Sequence, residues 1–440
     1  MINFISQQQS SCLLESEDPL LSSLINKESK RQKNALSMVA SASVALPSVI
    51  ACENTTLINV TTEGYPNSRY HGGCRFVDQI EELAIERAKS AFKAKYANVQ
   101  PHSGSSSNEI VIFGLLNPGD RILGMDICSG GHLTHGAPVS AIAKYFEVYS
   151  YGVDPKGYID YEQIEDIALH CKPKLIICGA SSYPRKIDFA KFRKIADKIN
   201  AFLLADISHI AGLVATGLHM SPIDYAHITT TSTYKQLYGP RGGLILCGKD
   251  YDICVEKNVT LAQKLQKAVF PFYQGTPILN AIAGKARALD FVSSKEFALL
   301  MKNVILHSNT LANNLIELGY NVITQGTDNH MVLVNLLDRG ITGFCAEKSL
   351  EKCNIIVNRN RISGDNKSSM IASGLRFGTN SLAFRGLGQP ELKQCTEIIN
   401  EILTHTTVIS DTQFLLDENI KNEAVNRVKA LCDRFPLYHV

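Results

Sequence analysis

Six short strand-like runs, DRILGMDI, YFEVYSYGV, KPKLIICGA, AFLLADIS, HITTTST and GGLILCG, alternate with helical periodicity between residues 70 and 290, and this alternation constrains the fold more than any other feature. Between two of them, IDFAKFRKIADKIN repeats apolar side chains at Phe189, Phe192, Ile195, Ala196 and Ile199, the stripe of a crossover helix. Strands alternating with helices of this size predict an α/β fold with a mostly parallel sheet covered on both faces. After about residue 290 the pattern shifts to long helical stretches (SSKEFALLMKNVILHSNTLANNLIELG) and runs such as NHMVLVNLL, which predict a smaller α+β domain. Ahead of the sheet, DPLLSSLINKESKRQKN sets Leu20, Leu21, Leu24 and Ile25 on one side and predicts a helix. The expected organisation is a helical arm at 1–69, a large α/β domain at 70–290 and a small α+β domain at 291–440.

The length of 440 residues allows two or three domains with substantial cores. The 44 basic and 42 acidic side chains leave a net +2 without long runs of one sign, so neither a nucleic acid nor a membrane surface is an expected partner. The 12 cysteines form no CxxC pair, and several sit in apolar runs such as LIICGA and LILCG, as buried free thiols do. A reducing compartment with no structural zinc is expected. The start, MINFISQQQSSCLLESEDP, lacks a basic n-region followed by an apolar core, and no stretch reaches the roughly 18 apolar residues of a membrane span. These features predict a soluble, cytoplasmic protein.

Three short motifs carry candidate chemistry. In TTTSTYKQLYGPRGG, Lys235 follows a β-branched run and precedes the Gly239-Pro240 turn, so it stands at a strand exit, where α/β folds bind ligands. It is either a solvated surface lysine or an amine able to form an imine with a carbonyl compound. In PHSGSSSNEIVIFGLL, Gly104 and Ser105 open an apolar helix, which serves either as a phosphate site or, through a serine, as an ordinary N-cap. In AFLLADISHIAG, four apolar residues end at Asp206, a costly place for a carboxylate unless a positive partner meets it. That carboxylate either pairs with a cation or caps the next turn, and His209 either orients it or packs. A phosphate cup, a strand-end aspartate and then a strand-end lysine follow the order found in pyridoxal phosphate enzymes built on a parallel sheet. In these enzymes the cofactor is the electron sink that makes bonds at an amino acid's Cα breakable.

The segments EGYPNSRYHGGCRFVDQIEELAIERAK, YANVQPHSGSSSN, ILGMDICSGGHLTHGAPVS, KPKLIICGASSYPRKIDFAKFRKIAD, DISHIAGLVATGLH and YKQLYGPRGGLIL closely resemble serine hydroxymethyltransferase, and the similarity runs from about residue 36 to the C-terminus. The resemblance implies a fold-type I pyridoxal phosphate enzyme, a homodimer or dimer of dimers whose active sites are shared between subunits. It implies serine–glycine interconversion by Cα–Cβ cleavage, with tetrahydrofolate as the acceptor. By the same resemblance, Lys235 binds the cofactor covalently, Asp206 pairs with its pyridine nitrogen and His132 stacks on its ring. Ser103, Gly104 and Ser105 hold the phosphate, to which Gly275 of a glycine loop also comes close. Ser181 and His209 support the ring oxygen and its surroundings. Arg376 receives the substrate carboxylate through a planar, permanently charged fork. Glu63 is the acid/base group beside the substrate hydroxyl and the folate, Ser41 and Tyr70 belong to the substrate side, and Arg241 has a structural part near the lysine loop. Asn360 and Leu133 match folate-side positions.

The chain departs from the family pattern close to the site. The ASEN motif reads Ala40-Ser41-Ala42-Ser43, while ACEN at Ala51 to Asn54 is out of register. Thr61 stands where a tyrosine is usual, RYYGG has become RYHGG with His71, and the histidine before the lysine is Tyr234. The glycine loop has become Phe272-Tyr273-Gln274-Gly275-Thr276. Histidine titrates near neutrality where tyrosine does not, so a catalytic His71 makes proton donation pH-dependent. Retained cofactor residues beside altered substrate positions leave two alternatives to the folate-linked transferase. One is a folate-independent aldolase or transaldolase acting on a β-hydroxy or other α-amino acid, and the other is a non-catalytic, cofactor-binding paralogue.

Overall fold

The computed structural model describes residues 13–437. The opening MINFISQQQSSC and residues 438–440 lie outside the described residues. All six strands expected from the strand-like runs form: β2 (Arg121–Met125), β3 (Glu147–Tyr151), β4 (Leu175–Cys178), β5 (Phe202–Asp206), β6 (Ile228–Ser232) and β7 (Gly243–Cys247). A seventh, β1 (Tyr96–Asn98), joins them in the order β1-β7-β6-β5-β4-β2-β3. Only β7 runs antiparallel to its neighbours. Sequence alternation did not reveal β1, because three residues are too few to show a period.

The central strands β4, β5, β6 and β7 are buried almost throughout because both faces of the sheet are covered, β6 burying the hydroxyls of its run ITTTS. Successive side chains point to opposite faces: Leu123, Ile176 and Leu203 join one core, while Ile122, Leu175, Ile177 and Leu204 join another. The expected crossover helix forms over Phe189–Ile199 and buries Phe189, Phe192, Ile195 and Ala196 on the first face. Asp188 caps it by accepting from Lys191 N at 3.1 Å, and Asn200, in the left-handed region at φ +55°, ends it.

A second, antiparallel sheet has the order β8-β9-β11-β10, with β8 at Asn321–Val322, β9 at Met331–Asn335, β10 at Asn358–Asn360 and β11 at Gly374–Gly378. Its core holds Leu375 and Phe377, so the pleat turns Arg376 between them to the opposite face. The arm helix spans Pro19–Lys33, and the chain after it pairs Leu36 and Ser37 with Ile355 and Ile356. Leu36 and Met38 thereby belong to the second core, and the long helix Lys295–Glu317 contributes to both. No helix among the described residues is long and apolar enough to cross a membrane.

Candidate functional site

The running direction of the sheet decides where the candidate residues fall. Strands β1, β2, β4, β5 and β6 point the same way, and the segments leaving their carboxyl ends carry Ser103, His132, Ser181, Asp206 and Lys235 in turn. They converge on a cavity of about 180 Å³, also lined by His102, Gly104, Ser105, His209, Ser232, Tyr234, Arg241 and Gly242. Positions spread over 130 residues of sequence thus share one wall.

Asp206 is buried at the end of β5, opposite Thr230 of β6. Its Oδ2 accepts from Asn108 Nδ2 at 2.8 Å and lies 3.1 Å from His135 Nε2, and its Oδ1 accepts from Ser208 N at 2.9 Å. Burial by itself pushes this carboxyl up, but the His135 hydrogen bond and the nearby charge of Lys235 hold it well below the usual carboxylate range. It therefore presents a permanent negative charge to the cavity. The orienting histidine is His135 and not His209, because His209 stacks on His330 with ring centroids 5.7 Å apart. Neither His135 nor Asn108 stood out in the sequence. Asn108 is one helical turn beyond the cup on the helix Gly104–Leu115, and the burial of a polar residue in an apolar helix was the signal available.

Asn108 also donates to Thr134 Oγ1 at 2.8 Å and accepts from Thr230 Oγ1 at 2.5 Å. Asn108→Ala would leave these buried partners short of hydrogen bonds, one of them to a charged group, so a loss of about 2–3 kcal/mol of stability is expected. A urea-unfolding midpoint lowered with an unchanged slope would show it.

At the cup, Ser103 behaves as an N-cap: its Oγ accepts from Ser106 N at 2.9 Å. The first helical bond runs from Ser107 N to the Ser103 carbonyl at 3.0 Å, so the N–H groups of Gly104 and Ser105 precede the helical ladder and are available to an anion. A Cβ at Gly104 would come 3.0 Å from Ser232 Cβ, so only glycine fits comfortably. The capping and phosphate readings are compatible, since different groups serve each.

Lys235 is only 7% exposed, and burial draws its ammonium down to about 8 against the opposing pull of Asp206. Arg376 is drawn down to about 10 by burial. Its guanidinium donates to Asn358 Oδ1 at 3.1 Å and to the carbonyl of Ser181, both neutral oxygens. A half-buried guanidinium without a carboxylate partner is a receptor for an anion. His132 lines the cavity with Nδ1 2.8 Å from Thr134 Oγ1, and burial lowers its ring to about 4, leaving it neutral. Burial and the charges of Lys235 and Arg376 push His209 well below the usual histidine range.

Two buried polar atoms at this site, Ser232 Oγ and His209 Nδ1, have no partner among the described residues. Together with the free helix N-terminus and the uncompensated cations, they fit a ligand carrying a phosphate and further hydrogen-bonding groups, as pyridoxal phosphate does. Tyr234 lies in the wall with its ring 4.2 Å from Arg241 Cζ, and its carbonyl accepts from Ser43 Oγ at 2.6 Å. The arm segment that matches ASEN thus reaches the site through Ser43. Beside Ser41, the Ala40 carbonyl accepts from His330 Nε2 at 3.1 Å, and Ala40 packs on Gly378 at the end of β11.

Glu63, Tyr70, His71 and Gly275 do not line this cavity. They gather beside it, because both neighbours of Gly275 bond to His102 of its wall: Gln274 Oε1 accepts from His102 N at 3.0 Å, and the Thr276 carbonyl lies 3.2 Å from His102 Nε2. A Cβ on Gly275 would sit 3.3 Å from Glu63 Oε1, Tyr70 N donates to the Glu63 carbonyl at 3.1 Å, and the Tyr70 ring, 75% exposed, meets Phe270 edge-on at 5.6 Å. His71 is exposed beside it. Asn360 Oδ1 accepts from Ser182 Oγ at 2.9 Å, and Leu133 is exposed.

A family model described as serine hydroxymethyltransferase matches residues 14–399. A serine hydroxymethyltransferase of Nostoc sp. (strain PCC 7120) is 46% identical over 426 residues, covering 97% of this chain and 96% of the relative. One from Rippkaea orientalis is 45% identical over 427 residues, with the same coverage, and one from Prochlorococcus marinus subsp. pastoris is 46% identical over 428 residues, covering 97% of each. The large, mostly parallel seven-stranded sheet with a second antiparallel unit is the fold-type I architecture that the motifs implied. The chain belongs to the serine hydroxymethyltransferase family.

Proposed function

We propose that this protein is a pyridoxal phosphate-dependent hydroxymethyltransferase that interconverts serine and glycine, with tetrahydrofolate as the one-carbon acceptor. The observation that carries the reading is one buried cavity with Lys235 and the ionised Asp206 in its wall, and the uncompensated Arg376 bonded to Ser181 of that wall. When bound, pyridoxal phosphate supplies the electron sink that makes a bond at the amino acid's Cα breakable. Lys235 would hold its aldehyde carbon, Asp206 its pyridine nitrogen, and Ser103, Gly104 and Ser105 its phosphate, with His132 against the ring and Ser181 and His209 near the ring oxygen. Arg376 would fix the substrate carboxylate and thereby limit which bond at Cα is presented for cleavage. Burial of the site excludes water from that bond.

In this reading the molecule works as a homodimer or a dimer of dimers. Glu63, Tyr70, His71 and Gly275 lie outside the cavity of their own chain and would complete the cavity of a second copy. Glu63 would move the proton at the substrate hydroxyl, and His71 would donate where the family pattern has a tyrosine. Asn360 and Leu133 would border the folate. Ser41 would approach the substrate from the arm, whose neighbour Ser43 already touches Tyr234. We divide the chain into an arm (1–69), a large domain (70–290) and a small domain (291–440). We assign it a reducing, cytoplasmic setting on the free thiols Cys178, Cys247, Cys345 and Cys395 buried in its cores. The names of the relatives do not favour a folate-independent aldolase or a non-catalytic paralogue.

Absorbance titration of the cofactor-loaded protein with glycine tests the proposal. A new long-wavelength band that grows on adding tetrahydrofolate is expected. Absence of that growth, with threonine-like β-hydroxy amino acids cleaved faster than serine in folate-free buffer, would overturn the folate assignment.

A further inference from the structure

Behind the cavity wall lies a second buried lysine that the chemistry above does not use. Lys285, on the helix Leu279–Val292, is 2% exposed, and its Nζ donates to the carbonyls of Val99 at 2.6 Å, Pro101 at 3.0 Å and Gly243 at 3.2 Å. All three acceptors are neutral main-chain oxygens, the kind of shell in which a protein holds a monovalent cation. Val99 and Pro101 lead directly into His102 and the cup at Ser103, Gly104 and Ser105. The Gly243 N–H donates to the same Pro101 carbonyl at 3.0 Å. Gly242, which lines the cavity, has room for no side chain because the lysine fills the space: a Cβ there would meet Lys285 Cε at 2.2 Å and Nζ at 2.8 Å.

We propose that Lys285 is a positioning residue for the phosphate cup, its ammonium serving as a tethered monovalent cation that ties the cup's approach segment to β7 and directs a positive charge at the anion bound there. The inference rests on the proposed cofactor. The ammonium fixes the backbone that aims the Gly104 and Ser105 N–H groups, and it is separated from the cavity by the thickness of one glycine. Burial draws it down to about 7, while the charges of Glu81 and Glu53 pull the other way and favour the ammonium. Facing it are Glu53, which ends the helix Pro47–Glu53, and Glu81, which is held by Arg69 at 2.6 Å and by Gln100 at 2.8 Å. Arg87 donates to the Ala286 carbonyl on the lysine's own helix, and His102 lies between the lysine and the cup, its ring lowered by burial.

The experiment compares pyridoxal phosphate with pyridoxal, which lacks the phosphate, by absorbance titration. The unmodified protein must first give a visible band with pyridoxal phosphate; without one, the cofactor reading itself fails, separately from this inference. In Lys285→Met, the dissociation constant for pyridoxal phosphate should rise at least about tenfold while that for pyridoxal stays unchanged, as loss of a nearby buried charge demands. In Lys285→Ala, potassium or ammonium chloride should recover the lost affinity and tetramethylammonium chloride should not. An equal rise for both vitamers, or no rise for either, overturns the proposal, as does rescue that ignores cation size. Lys235→Ala, which retains Lys285, gives a measurement that does not depend on the Lys285 variants folding. Its affinity for sulfate, whose charge is fixed in this range, should fall several-fold between about pH 6.5 and 9 as the ammonium loses its proton. A flat profile overturns the proposal.

Discussion

Lys235→Ala is expected to lose the visible band given by pyridoxal phosphate after dialysis, and to lower kcat for serine cleavage by at least about 1000-fold, the scale of removing a covalent participant. The amine lies in a water-poor wall, with burial drawing it to about 8 and Asp206 the opposing negative charge. At pH 8 roughly half of it is therefore neutral and able to attack a carbonyl carbon, whereas an ordinary lysine near 10.4 offers well under one part in a hundred. Lys235→Arg separates nucleophile from charge, because guanidinium keeps its proton and cannot make the bond. It should fail as completely as the alanine variant while keeping measurable affinity for inorganic phosphate. If Lys235→Arg retained the band through dialysis, the covalent role would be lost and the lysine would be no more than a counter-ion to Asp206.

The sequence made the frame legible where physics is local. Strand-like runs became strands because both faces of the sheet are covered, and the stripe from Phe189 to Ile199 became the crossover helix because only its apolar side is buried while its lysines face outward. Lys235, Asp206 and Ser103 were readable for a different reason: parallel strands deliver their carboxyl ends to one edge, so a polar residue just past an apolar run is a site candidate. What stayed hidden depends on contacts across long separations. His135 reaches Asp206 across 71 positions, and Lys285 reaches Val99 across 186. A histidine three residues after another, or a lysine in the helical run NAIAGKARAL, carries no sign of such partners. Four positions taken from the resemblance, Glu63, Tyr70, His71 and Gly275, do not line the cavity of their own chain, and no local sequence pattern encodes that placement.

Arg376 should give the second large effect, and its two consequences have opposite sign. Its guanidinium is half-buried where the two sheets meet, with Asn358 and the Ser181 carbonyl as its partners among the described residues, and desolvation lowers it to about 10. Below that pH the free protein carries a desolvated cation without a counter-ion, a net cost rather than a stabilising contact. In the proposed reading a substrate carboxylate would relieve it through paired, charge-assisted hydrogen bonds, offsetting on binding the cost carried by the free protein. Arg376→Leu should therefore raise KM for serine by about 100-fold or more, the range found when one partner of a buried hydrogen-bonded charge pair is removed. The same variant should unfold at a urea concentration equal to or above that of the unmodified protein when no amino acid is present, since an apolar side chain suits the site better than a lone charge. Arg376→Lys should recover little, because a point charge cannot make the two parallel bonds of the fork. If Arg376→Leu unfolded earlier by more than about 2 kcal/mol while keeping its KM, the arginine would be a structural residue tied to Ser181 and Asn358, and the substrate carboxylate would have to be received elsewhere.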